Sequence, residues 1–163
     1  TLNDQQFADA LVEWLRRDGF FTRHGDEAED LVRRSVPAVK RKMTRLNEYE
    51  TLAGWLFTDL QMDPEAWQGI EADVKLSLQC VGTGLGRLEA LPEWTQPEIK
   101  HALQDQLHIL GSNAREFLEP LRISLTGSTI STGIYESLDL MGREESLRRL
   151  RLALSRLAEL WDP

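Results

Sequence analysis

The sequence predicts an all-α fold made of two packed helical subdomains. Three observations carry that prediction. Apolar residues recur at spacings of three and four along almost the whole chain, as one buried face of a helix requires. Start and stop signals punctuate those runs, with capping residues ahead and glycines behind. No alternating apolar and polar stretch is longer than a few residues, so no strand is expected. A break at Leu91–Trp94 divides the chain into residues 1–92 and 93–163.

Residues 3–19 (NDQQFADALVEWLRRDG) put Phe7, Leu11, Trp14 and Leu15 on one helical face, with Asn3 as N-cap and Gly19 as stop. Residues 25–43 (GDEAEDLVRRSVPAVKRKM) open on acids and close on bases, the order the helix dipole favours. Leu31, Ser35 or Val36, and Val39 form the apolar stripe there. Pro37 predicts a kink, because proline has no amide hydrogen to donate. Residues 47–60 make a shorter helix with Tyr49, Leu52, Trp55 and Leu56 inward. Residues 62–91 begin with Asp63 as cap and Pro64 in the first helical position, and Trp67, Ile70, Val74, Leu78 and Val81 follow. The three glycines of Val81–Leu88 (VGTGLGRL) predict a loosened or broken helix. Residues 93–111 start with Thr95 and Glu98 at capping-box spacing and end on Gly111. Residues 113–125 form a helix kinked at Pro120, and residues 126–133 (TGSTISTG) a polar, flexible joint. A short helix then closes on Gly142, and residues 143–161 make an amphipathic helix with Leu147, Leu150, Leu154 and Leu157 inward.

Hydrophobic residues make up 41% of the chain and charged residues 28%, the balance of a globular rather than a disordered protein. No apolar run nears the roughly 20 residues of a membrane span, and the first residues lack the basic and apolar regions of a secretory signal. The chain starts at Thr1 rather than methionine, as a fragment or processed chain would. The one cysteine, Cys80, cannot form an internal disulfide and fits a reducing, cytoplasmic setting. Its apolar neighbours point to a core filler. The formal net charge of −8 argues against nucleic acid, but the distribution of charge decides that question. Leu31–Arg45 carries six basic residues and no acid, and the last helix adds Arg143, Arg148, Arg149, Arg151 and Arg156.

The residues point to no catalytic or metal site. VGTGLGRL fails as a dinucleotide loop, since Arg87 stands where the third glycine belongs and no strand precedes it. His101 and His108 lie about 10 Å apart on one helix, too far for one metal. With His24 they read as surface or boundary residues. No serine sits in a nucleophile elbow. The five tryptophans fall mostly at apolar helical positions and read as core. The basic tract Arg33–Arg45 is open between a solvated helix face and a phosphate-contacting one.

Residues 120–154 (PLRISLTGSTISTGIYESLDLMGREESLRRLRLAL) resemble the C-terminal end of bacterial glutamyl-tRNA synthetases. That family ends in Pro-Leu-Arg, a Leu-Thr-Gly-Ser segment, a short helix closing on Leu-Gly, and a Leu-x-Arg-Leu helix. Residues 93–103 (EWTQPEIKHAL) resemble its Trp-Thr helix start, and residues 31–59 its basic helix followed by an aromatic one ending in Phe-Thr. The resemblance implies an anticodon-binding part of a class I aminoacyl-tRNA synthetase, built as two helical subdomains. The family's His-Ile-Gly-His-like and Lys-Met-Ser-Lys-Ser-like catalytic motifs are not in the sequence; Lys40–Leu46 (KRKMTRL) has only a superficial likeness to the second and is expected inside a helix.

By that resemblance, Arg122, Ser131, Thr132, Gly133 and Ile134 correspond to positions that contact the first anticodon base. Hydroxyls, backbone amides and a guanidinium suit the edges of a splayed base, and apolar side chains its face. Thr132 stands where the family commonly has proline. The position that reads the third anticodon base corresponds to Lys42, beside Lys40, Arg41 and Arg45, which are expected on the RNA backbone. Glutamate-specific members carry arginine there, and members that also charge the glutamine tRNA carry glutamine. The implied partners are the glutamate tRNA, with the glutamine tRNA left open, and an N-terminal catalytic domain that would hold ATP and Mg. No cofactor is expected in this chain, no membrane contact, and a monomer. The alternative is a helical protein-interaction module that shares the fold without binding RNA.

Overall fold

In the computed structural model, which describes residues 1–110 and 113–162, ten α-helices and no strand occur among the described residues. They fall into two compact units. Residues 1–59 and 130–132 form the first, and residues 60–129 with 133 onward the second. The division follows Asp59 rather than the break at Leu91–Trp94. Side chains close over that expected break: Arg143 donates to the carbonyls of Leu91 (2.7 Å) and Glu89 (2.9 Å), and the Trp94 indole donates to the Leu138 carbonyl (2.9 Å).

In the first unit, α1 (Asp4–Asp18) starts at a full capping box between Asn3 and Gln6 and stops at Gly19, whose φ of 88° suits only glycine well. The chain at once re-enters a helix, α2 (Phe20–His24), which the sequence did not announce. Five residues are too few for periodicity to register; what holds them is an aromatic cluster. The Phe20 ring meets Phe21, Tyr49 and Phe57 edge-on at 5.1–6.0 Å. Tyr49 is fully buried, and its hydroxyl is satisfied by Ser35 Oγ at 2.7 Å. Burial pushes the phenol well above its ordinary pKa. In α3 (Ala28–Val39) the buried stripe is Val32, Ser35, Val36 and Val39, with Leu31 half-buried beside it, and Pro37 sits in the last turn. The helix stops at Val39, so its last turn holds no base. Lys40–Lys42 form a turn beyond it, not the end of the helix that the charge order suggested. The expected helix over 47–60 is broken: a 3-10 turn (Leu46–Glu48), α4 (Tyr49–Ala53) and a second 3-10 turn (Gly54–Leu56).

In the second unit, α5 (Pro64–Glu71) is capped by Asp63 with Pro64 in its first turn. The run does not continue as one helix. Asp73 accepts from Leu76 N at 3.0 Å and starts α6 (Val74–Glu89). That helix passes unbroken through Gly82, Gly84 and Gly86, against expectation. Packing is the reason at Gly84, where an added Cβ would lie 2.8 Å from both methyls of Leu121. There the glycine lets α8 (Ala114–Thr126) come close, which offsets its poor helix propensity. α7 (Gln96–Leu110) begins with Thr95 Oγ1 accepting from Glu98 N; its expected end at Gly111 lies outside the described residues. α9 (Ile134–Met141) ends at Gly142, and α10 (Arg143–Leu160) packs along α6 and α8. A core of Trp67, Ile70, Val81, Ile123, Ala153 and Leu157 joins these helices, and Cys80 is buried as a filler. Of the other tryptophans, Trp14, Trp55 and Trp94 are half-buried and Trp161 is exposed.

One buried residue has no counterpart in the apolar pattern. Arg149 is 1% exposed on α10. Its Nη1 donates to the Leu125 carbonyl (3.0 Å) in the last turn of α8, and its Nε to Glu145 (2.8 Å). Glu145 also accepts two hydrogen bonds from Arg148 at 2.7 Å. Those bonds, Arg148 first and Arg149 behind it, outweigh burial and pull the Glu145 carboxyl down to about 2. Its folded pKa therefore lies below the ordinary 4.5, so the stabilisation is complete above about pH 4.5 and fades as pH falls towards about 2. Urea unfolding of the parent and of Glu145→Gln should show a gap in stability that is constant from pH 7 to pH 5 and closes across that lower window.

Candidate nucleic-acid interface

The basic tract is smaller in space than in sequence. Arg33 donates to Asp9 (2.7 Å) and Glu29 (3.0 Å), and Arg34 to Asp30 (3.1 Å). Lys40 Nζ donates to the Leu2 carbonyl (2.5 Å) and lies 3.3 Å from Asp4 Oδ1, which ties it to the start of α1. Arg41 and Arg45 remain exposed. Lys42 turns to the loop: its Nζ donates to the backbone carbonyl of Ser131 at 3.1 Å, both within the first unit. Behind this turn, Thr44 donates its hydroxyl to Glu48 (2.7 Å) and its amide to the same carboxylate (3.3 Å). The Thr44 hydroxyl, and then its amide, hold the Glu48 carboxyl below the usual range.

The joint over residues 126–133 is a built loop rather than a slack connector. Gly127 ends α8 with φ 78°, its N–H bonded to the Ile123 carbonyl and its carbonyl accepting from Asp63 N, both at 2.8 Å. A Cβ there would collide with the backbone carbonyl of Gln61. Thr126 Oγ1 bonds the carbonyls of Arg122 (2.9 Å) and Ser128 (3.1 Å). Arg122, half-buried on α8, uses its fork as a brace. Nη1 donates to the Thr129 carbonyl (2.9 Å) and Nη2 to Glu119 (2.6 Å).

The orientation of the loop corrects the expected reading of its side chains. Ser131 and Thr132 are buried, at 5% and 0% exposure, and Ile134 is 6% exposed on the inner face of α9. None of the three offers its side chain to solvent. Gly133 has an ordinary φ of −61°, and the space where a Cβ would stand is filled by the Glu136 carboxylate. The outward groups are Thr129, which is exposed, and Ile130, at 56% exposure. Ile130 carries a signal in the sequence, as the one apolar residue in TGSTISTG. Within the first unit, the outward aliphatic side chain of Ile130 can meet a base face, and within the second the Thr129 hydroxyl, on a backbone braced by Arg122, can meet a base edge.

No helix among the described residues is long and apolar enough to cross a membrane, and no group of His, Cys, Asp and Glu among them could hold a metal. His101 and His108 are exposed, and His24 is half-buried, its ring packed at a tilt against Phe20.

A family model described as "Anticodon binding domain" matches residues 6–154. The glutamate–tRNA ligase of Saccharopolyspora erythraea is 34% identical over 158 residues, which is 94% of this chain and 31% of that protein. The glutamate–tRNA ligase of Thermus thermophilus is 30% identical over 155 residues, again 94% and 31%. A crystal structure of a glutamate tRNA ligase from Elizabethkingia meningosepticum, in complex with its amino acid, matches with a TM-score of 0.75 at 15% identity, over 92% of this chain and 29% of that one. That last likeness is one of fold. The chain spans about a third of the length of the relatives it matches.

Proposed function

This chain belongs to the anticodon binding domain family, and from that premise we propose that it binds the anticodon arm of a tRNA, selecting the glutamate tRNA for a catalytic domain of a longer protein. The observation that carries the reading is the family match over residues 6–154, almost the whole chain. ATP, Mg and the ligase chemistry belong to that catalytic domain, and this chain contributes recognition alone, in the cytoplasm and as a monomer. Thr129 and Ile130 meet the first anticodon base, with Arg122 supporting the backbone they stand on. The buried Ser131, Thr132 and Ile134, with the half-buried Gly133, shape the loop from within. Lys42 supports the loop from its Ser131 carbonyl, and a lysine there, a point charge rather than a fork, gives weaker discrimination at the third base than arginine would. Arg41 and Arg45 contact phosphates.

The test is filter binding of glutamate tRNA and of the same tRNA with a foreign anticodon, over a range of salt. The parent should prefer the cognate anticodon, and Arg122→Ala, which removes the brace on the Thr129 carbonyl, should reduce that preference. Arg41→Ala and Arg45→Ala should weaken both RNAs alike, each lowering the salt slope by about 1. Lys40→Ala should move the melting temperature instead, since Lys40 is held by Leu2 and Asp4. Equal affinity for the two RNAs, unchanged by Arg122→Ala, would remove base reading and leave the protein-interaction module.

A further inference from the structure

A cavity of about 330 Å³ opens in the second unit, with Thr129 of the loop among its lining residues. It lies at the lower end of the roughly 300–1,000 Å³ usual for ligand sites. Its floor is aliphatic, with Ile70, Leu76, Pro120 and Ile123. Its walls carry four carboxylates, Glu65, Asp73, Glu116 and Glu119, against a single arginine, Arg115. Two of the four are already engaged: Asp73 caps α6, and Glu119 holds Arg122. Glu65 and Glu116 form no ion pair among the described residues.

An apolar floor under an acidic rim selects its occupant by charge. Phosphate-bearing ligands, RNA included, meet repulsion there. A lysine or arginine side chain fits both parts, since its methylene stem covers aliphatic surface while its charged end stays at the carboxylates. We infer that this cavity docks a basic, aliphatic segment of a partner protein, with lysine or arginine ends at Glu65 and Glu116 and aliphatic groups against Ile70 and Ile123. The cavity shares Thr129 with the proposed base-contacting groups, so peptide binding is read in the absence of RNA.

Gly69 supplies a clean way to test it. It lines the cavity, and an added Cβ there would meet nothing within 4 Å. Gly69→Leu therefore obstructs the cavity without touching its charge and without straining α5, where leucine is the better helix former. The probe is a fluorescein-labelled hexapeptide of alternating lysine and leucine, with a glutamate–leucine hexapeptide as control, read by anisotropy against the whole 163-residue chain. The lysine peptide should bind and the glutamate peptide should not. Glu65→Gln combined with Glu116→Gln should weaken binding about fivefold or more, as should Gly69→Leu alone. Circular dichroism melts confirm that each variant folds. Undiminished binding to Gly69→Leu would reduce the effect to general surface charge and overturn the inference, and so would absence of binding to the parent. An oligoribonucleotide that binds the parent and is lost with Gly69→Leu would reassign the cavity to RNA.

Discussion

Replacing Gly127 with alanine should lower the thermal midpoint by roughly 6–12 °C, equivalent to about 3 kcal/mol in a chain of this size. Two costs add at this one position. The backbone is held at φ 78°, which an L side chain rarely adopts, and the new methyl runs into the carbonyl of Gln61, which is backbone and cannot swing aside. Relaxing the clash means giving up the hydrogen bond from Asp63 N to the Gly127 carbonyl, and with it the register between the start of α5 and the entry of the loop. Gly86→Ala is the matching control. Gly86 is exposed inside α6 with open space around it, so alanine there should raise stability by roughly 0.5–1 kcal/mol. Calorimetry on the two variants separates conformational need from mere presence of glycine. A Gly127→Ala midpoint within a degree or two of the parent would show that the loop entry is not constrained as described.

Arg149→Ala should cost roughly 2–4 kcal/mol in urea unfolding, since it strands the Leu125 carbonyl, removes one partner of Glu145 and leaves a void along the arginine stem. Arg149→Met fills the void but supplies no donor, so it should cost about half as much. The difference between the two measures packing, and what remains in Arg149→Met measures the lost hydrogen bonds. If both variants unfolded like the parent, the buried guanidinium would be a passenger rather than an anchor.

Much of this molecule is legible in its sequence where a single residue type has a single physical use. Asn3 and Gly19, Asp63 and Pro64, and Gly142 mark helix ends because capping and left-handed stops depend on the local chain. What escaped depends on distant partners. α2 exists because Phe20 finds Tyr49 and Phe57, and α6 survives three glycines partly because Gly84 faces Leu121. The division after Asp59 is invisible from the chain, since the hydrogen bonds of Arg143 and Trp94 that bind the Leu91–Trp94 region into the second unit span more than 40 residues. In the candidate site, the resemblance pointed to the loop segment, and Arg122 and Lys42 hydrogen-bond its backbone. It did not give the facing of individual side chains. Ser131, Thr132 and Ile134 turn inward, and no periodicity exists in an irregular loop to say so. Arg149 did leave a trace: it lies four residues after Glu145 and in line with Ser146 and Ala153 on the buried stripe of α10.

The internal pairing of Arg33, Arg34 and Lys40 also governs how fast a nucleic acid can arrive. Arg33, Arg34 and Lys40 are each matched to carboxylates of their own unit, on a chain of net charge −8. Such a surface draws a polyanion from a distance only weakly, so encounter relies on diffusion and on contacts made after arrival. Association rate constants should then sit near the roughly 10⁵–10⁶ M⁻¹s⁻¹ of unsteered pairs rather than the ~10⁸ of electrostatically guided ones, and should change little as salt is lowered. On the proposed reading of an RNA-binding unit, discrimination would then rest on how long a bound RNA stays.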